Sequence, residues 1–218
     1  MAILILGSVF VAHVGINLTN LTNEELVSQL AEIDSPSVGL HPTASIRAFI
    51  VGDQPSELVG GIIGSAQPKA FPQMLELVRR GASVLPVLIQ HLNDKRPTKL
   101  YVGKDFAFRC FSDEYDPRKP NNAQKHPLEH RFQGNYTVKI GDVCYVIIGQ
   151  IVNRNLCALR YQPTMGLVVN SPIEAPDLIK KVKKDWGNLD EKAHLESLLA
   201  DARLNSDFWY KPALQRLR

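Results

Sequence analysis

The sequence predicts an α-rich α+β fold, and three observations carry that prediction. A capping box at Thr22–Glu25 opens a stretch of helical apolar spacing. A proline-led run of leucines and valines fills 72–94, again at helical spacing. Between helical stretches, aromatic-rich extended segments lie at 100–102 and 106–111. Composition sets the bounds. A chain of 218 residues, 44% hydrophobic and 22% charged, buries a core without disulfide or metal staples. Collagen, wholesale disorder and a polytopic membrane protein are excluded. A net charge of +3 is too mild to imply nucleic acid as a partner.

The first 14 residues are almost wholly apolar, and residues 1–20 are set apart as an N-terminal segment. The apolar run is too short to span a bilayer, which takes about 20 residues. It has the length of a signal-peptide core, yet no Lys or Arg precedes it and the first basic residue is Arg47. Signal peptide and buried element therefore stand side by side. So do an exported or periplasmic location and a cytoplasmic one. Asn17, Asn20 and Asn135 begin glycosylation sequons, which matter only in a eukaryotic secretory route.

Residues 21–218 read as a single globular domain. Its first helix covers 23–33: Thr22 and Glu25 cap it, Leu26, Val27, Leu30 and Ile33 form its core face, and Asp34-Ser35-Pro36 ends it. A loop-rich stretch with four prolines and Gly60-Gly61 follows over 35–70, with a short strand expected at Ser45–Val51. Pro72 then starts a helix with Met74, Leu75, Leu77 and Val78 on one face, and Gly81 ends it. Val84, Leu85, Leu88, Ile89 and Leu92 line the next helix. Two helices so tightly joined are expected to pack antiparallel. Strands are expected at 100–102, 106–111, 156–160 and 166–170, and a long polar loop at 112–134. Two C-terminal helices close the domain. Pro176 begins one, with Leu178, Ile179, Val182 and Trp186 on its face; Asp190 caps the other, with Ala193, Leu195, Leu198, Leu199 and Ala202 expected inside. Phe208, Trp209 and Tyr210 mark a last short element.

The run Gly81-Ala82-Ser83-Val84-Leu85-Pro86 through Asn93-Asp94 resembles the second helix of a HEAT-type repeat. Val138-Lys139-Ile140-Gly141-Asp142-Val143 is similar to the way such helices open. That resemblance implies Asp142 as an N-cap and Val143, Val146, Ile147 and Ile151 as a core face. It places HEAT-like helical hairpins near 70–94 and 142–153. No repeat period of about 34–47 residues runs through the chain, so a pure array is not expected. The chain also resembles a group of uncharacterised bacterial proteins that contain Tyr136-Thr137-Val138-Lys139-Ile140-Gly141-Asp142-Val143-Cys144-Tyr145, Gly149-Gln150-Ile151-Val152-Asn153-Arg154 and Arg160-Tyr161-Gln162-Pro163-Thr164. That likeness brings no activity with it.

Motifs for chemistry are sparse. His126-Pro127-Leu128-Glu129-His130 matches the inverted zinc-protease pattern H-x-x-E-H. That chemistry sets two imidazoles on one helical face, whereas Pro127 and the polar flanks argue for a solvated loop. Cys110, Cys144 and Cys157 are odd in number and form no C-x-x-C pair, which leaves room for one disulfide of open pairing; Cys144 and Cys157, inside apolar runs, are expected to act as small hydrophobes. Gly60-Gly61-Ile62-Ile63-Gly64-Ser65 fits no phosphate-loop pattern, and no cofactor is expected. Lys180, Lys181, Lys183 and Lys184 are balanced by Asp177, Asp185, Asp190 and Glu191, which reads as a solvated helix face.

A polar cluster follows the apolar 142–153 helix: Gln150, Asn153, Arg154, Asn155, Arg160, Tyr161 and Gln162. Arg and Tyr suit partner recognition because they join contact area to directed hydrogen bonds. The competing reading is a satisfied polar network that closes the core. The expectation for the whole chain is a non-catalytic protein-interaction or scaffold domain, with another protein as partner and with Gln150, Asn153, Arg154, Arg160, Tyr161 and Gln162 as contact residues. The rival is a hydrolase, metal-dependent if His126, Glu129 and His130 bind zinc, or using a cysteine.

Overall fold

A computed structural model describes residues 17–35, 71–103, 107–115, 134–154, 156–162, 166–204, 213–214 and 217. Over these residues the fold is helix-rich α+β, with short strands in two small sheets. The N-terminal apolar run, Ser45–Val51, Gly60–Ser65, the 126–130 motif and Phe208–Tyr210 lie outside the described residues.

Helix α1 (Asn23–Gln29) opens on the expected capping box: Thr22 Oγ1 accepts from Glu25 N–H at 3.2 Å, and Glu25 Oε2 accepts from Thr22 N–H at 2.7 Å. The two bonds satisfy donors that a helix start otherwise leaves bare. A 3-10 turn at 30–32 continues α1, and Leu26, Val27, Leu30 and Ile33 are all fully buried. Helix α2 (Pro72–Arg79) ends at Gly81, whose φ of +63° is the left-handed conformation a side chain disfavours. A 3-10 turn, Gly81–Val84, leads into α3 (Leu85–Gln90). Both α2 and α3 lie against α4 (Ile140–Ile151).

Helix α4 is the spine. Every one of its 12 residues is buried, so it is wrapped on all sides and not only along the expected Val143–Ile151 face. It also starts earlier than expected. Lys139 is the N-cap, and Asp142 sits three residues in, where its Oδ2 accepts the Lys139 N–H at 2.9 Å. The start of α4 runs directly against the 91–94 turn. A Cβ at Gly141 would lie 2.6 Å from the Leu92 carbonyl oxygen, so only glycine admits this approach.

Strand β1 (Pro97–Val102) pairs antiparallel with β3 (Tyr136–Lys139). Strand β2 (Phe108–Ser112) pairs in parallel with β5 (Gly166–Asn170), which also pairs antiparallel with β4 (Leu159–Gln162). Helix α5 (Asp177–Trp186) buries Leu178 and Val182. Helix α6 (Glu191–Arg203) is capped by Asp190, whose Oδ1 accepts from Ala193 N–H at 2.7 Å, and it crosses the 81–84 turn. The expected core of α6 is corrected here. Leu198 is buried, but Ala193, Leu195 and Leu199 face solvent and Ala202 is half-buried.

Candidate functional site

Polar side chains gather at both ends of α4, and the two clusters differ in purpose. At its start, β3 supplies Tyr136, the first turn of α4 supplies Asp142, and the turn after β5 supplies Ser171. Ser171 Oγ–H donates to Asp142 Oδ1 at 2.5 Å, and Tyr136 O–H donates to Asp142 Oδ2 at 2.7 Å. The two hydroxyls lie 3.0 Å apart. Ser171 Oγ also accepts from the Ile173 N–H at 3.2 Å, which fixes the turn. Burial pushes the Asp142 carboxyl up, against the pull of Ser171, the Lys139 N–H and Tyr136. Asp142 and Ser171 are both fully buried, so the serine has no access to a substrate. This cluster joins β3, α4 and the 171–174 turn.

A second structural network ties α1 to the link between α3 and β1. His91 contacts Glu24 through Nε2 at 2.7 Å and Asp94 through Nδ1 at 3.0 Å. Burial would raise Asp94, but the Arg96 side chain and N–H together with His91 hold its carboxyl down at about 2. The two carboxylates take opposite sides of the imidazole, so they do not converge on a metal. Among the described residues no group of three or more His, Cys, Asp or Glu is arranged to hold one. His126, Glu129 and His130 lie outside those residues.

All three cysteines are buried thiols outside any disulfide. Burial pushes the Cys144 thiol up and the Cys157 thiol up to about 11. Thiols so held are poor nucleophiles at neutral pH.

Of the contact residues expected from sequence, Gln150, Asn153 and Arg154 lie at the other end of α4. Gln150 and Asn153 are buried. Asn153 Nδ2 donates to Asp201 Oδ2 of α6 at 2.8 Å, and Arg154 Nη1 donates to the same oxygen at 2.6 Å. Arg160 stands apart from these, paired through Nη1 with Glu114 Oε2 at 2.6 Å. Tyr161 and Gln162 continue β4 opposite Leu167 and Gly166; their side chains, like Asn155, lie outside what is described. The structure thus gives Asn153 and Arg154 a partner within the chain. Asp201 was missed by sequence reasoning. The available signal was spacing: His194, Leu198 and Asp201 share one helical face, so a carboxylate stands on the inward side of α6.

Helix α6 turns Leu195 and Leu199 outward among the exposed Glu191, Lys192, Glu196 and Arg203. Leu195 is 49% exposed, Leu199 39% and Leu204 60%; with Tyr101 they are the exposed large hydrophobic side chains among the described residues. Leu195 and Leu199 are neighbours one turn apart and border the buried Leu198. Among the described residues no helix is long and apolar enough to cross a membrane. No family model, curated protein or solved structure matches the chain.

Proposed function

We propose that the chain is a non-catalytic protein-interaction domain, in which α1 to α4 form a HEAT-like helical body and α6 carries the contact surface for another protein. The observation that carries this reading is the Leu195–Leu199 edge. Single exposed leucines are ordinary, but here two, one turn apart, flank the buried Leu198, with Leu204 at the helix end. The resemblance to HEAT-type repeats, whose stacked helices build binding surfaces, supports the reading by analogy. The buried serine, aspartate and cysteines described above offer no reactive group to a substrate.

Affinity capture with the wild type and with the Leu195→Asp, Leu199→Asp double variant tests it. A captured protein that, once purified, binds the wild type and fails to bind the variant is the expected result. A purified partner that binds both equally well refutes the assignment.

A further inference from the structure

Helix α6 buries little apolar surface for its length. Helix α4 is buried throughout and α5 buries two aliphatic side chains, whereas the buried residues of the 13-residue α6 are Leu198 and Asp201. One of those two is a carboxylate, which leaves water favourably only if donors replace its hydration. Asn153 and Arg154 supply them at 2.8 and 2.6 Å. The same Nη1 of Arg154 donates to the carbonyls of Val152 and Asn153 at 3.1 and 3.0 Å. Those carbonyls lie at the C-terminal end of α4, where a cation is favoured. The guanidinium also lies 5.3 Å from the ring centroid of Trp186, so the end of α5 meets the same cation. Two turns earlier on α6, His194 Nε2–H donates to the Ile151 carbonyl at 2.8 Å. Asn153 sits at φ +54°, the left-handed conformation that asparagine tolerates better than most residues. Among the described residues, α6 is thus held by Leu198, by the 81–84 turn and by a set of polar contacts that includes one cation.

We propose that α6 is a strap latched by Asp201 onto Asn153 and Arg154, and that opening this latch frees α6 and adds Leu198 to the Leu195–Leu199 edge. Freed, the helix presents Leu195, Leu198 and Leu199 as one stripe. A partner that binds the whole stripe binds the open state better, and so draws the latch open. This use of the latch rests on the interaction reading above; the latch itself does not.

Hydrogen exchange on the full chain, read by mass spectrometry over 191–204, tests the proposal. Asp201→Ala is expected to speed exchange of α6 amides about ten- to a hundred-fold while α2, α3 and α4 keep wild-type rates. Asp201→Asn retains an acceptor for Asn153 but loses the charge facing Arg154, and its α6 rates are expected to fall between the two. Unchanged α6 exchange in both variants overturns the latch. So does an equal acceleration across α2, α3 and α4, which would mark general destabilisation. If α6 opens as expected while the Leu195 and Leu199 substitutions leave partner binding intact, the latch stands and the interaction reading falls.

Discussion

Replacing Asp142 by alanine removes the acceptor shared by three donors: the Ser171 hydroxyl, the Tyr136 hydroxyl and the Lys139 N–H. Tyr136 keeps an alternative, because Ser171 Oγ lies 3.0 Å away. Ser171 O–H and Lys139 N–H then lose their partner in surroundings with little water. A buried donor left bare costs about 1–3 kcal/mol, so the expected loss is about 2–5 kcal/mol once relief of the buried carboxyl is allowed for. In a chain of this size that lowers Tm by about 5–20 °C. Asp142→Asn keeps shape and one acceptor, and is expected to cost about half as much. Urea unfolding followed by circular dichroism measures both, with the slope m unchanged. A loss under about 1 kcal/mol in Asp142→Ala would falsify the joint. The pH dependence has a definite sign. Because folding raises the Asp142 pKa, its contribution is full below the unfolded value and is lost as pH rises through the folded one. Asp142→Asn should flatten that decline, and a decline of wild-type steepness in the variant would assign it to another group.

Leu88 is fully buried in α3, and Leu88→Ala should cost about 2–5 kcal/mol in the same denaturant assay; under about 1 kcal/mol would reject its packing. Gly141→Ala forces a methyl to within 2.6 Å of the Leu92 carbonyl, and a loss of about 1–3 kcal/mol is expected. Wild-type stability in that variant would show that the 91–94 turn yields freely. His126→Ala with His130→Ala should change stability by no more than about 0.5 kcal/mol, as for ordinary surface sites. Stoichiometric zinc in the wild type that is lost in this double variant would revive the hydrolase.

Features that depend on neighbours in sequence were legible. Thr22 and Glu25 announced their box, Asp190 its cap, and Gly81 the end of α2, because each acts on backbone within four residues of itself. The stripe at 84–92 was equally plain, since Val84, Leu85, Leu88, Ile89 and Leu92 all reach the core. What escaped depends on distant partners. Strand β3 was not anticipated: four residues carry little pattern, and Tyr136–Lys139 is extended because it pairs with β1 about 40 residues earlier. The HEAT-type resemblance implied Asp142 as an N-cap; here Ile140 N–H and Gly141 N–H bond the Arg96 and Asp94 carbonyls, and the helix begins sooner. Leu195 and Leu199 looked inward because they share the apolar face of α6, and nothing local tells how wide a strip of that face is covered. Asn153 and Arg154 showed the same limit: their partner Asp201 lay in a helix about 47 residues away.

The α6 surface is tested most directly by a deuterium-exchange footprint of the complex with the purified partner. Protection confined to 191–204, with the amides of α2, α3 and α4 at their free rates, is the predicted result. Protection elsewhere, with 191–204 exchanging as in the free protein, would contradict it.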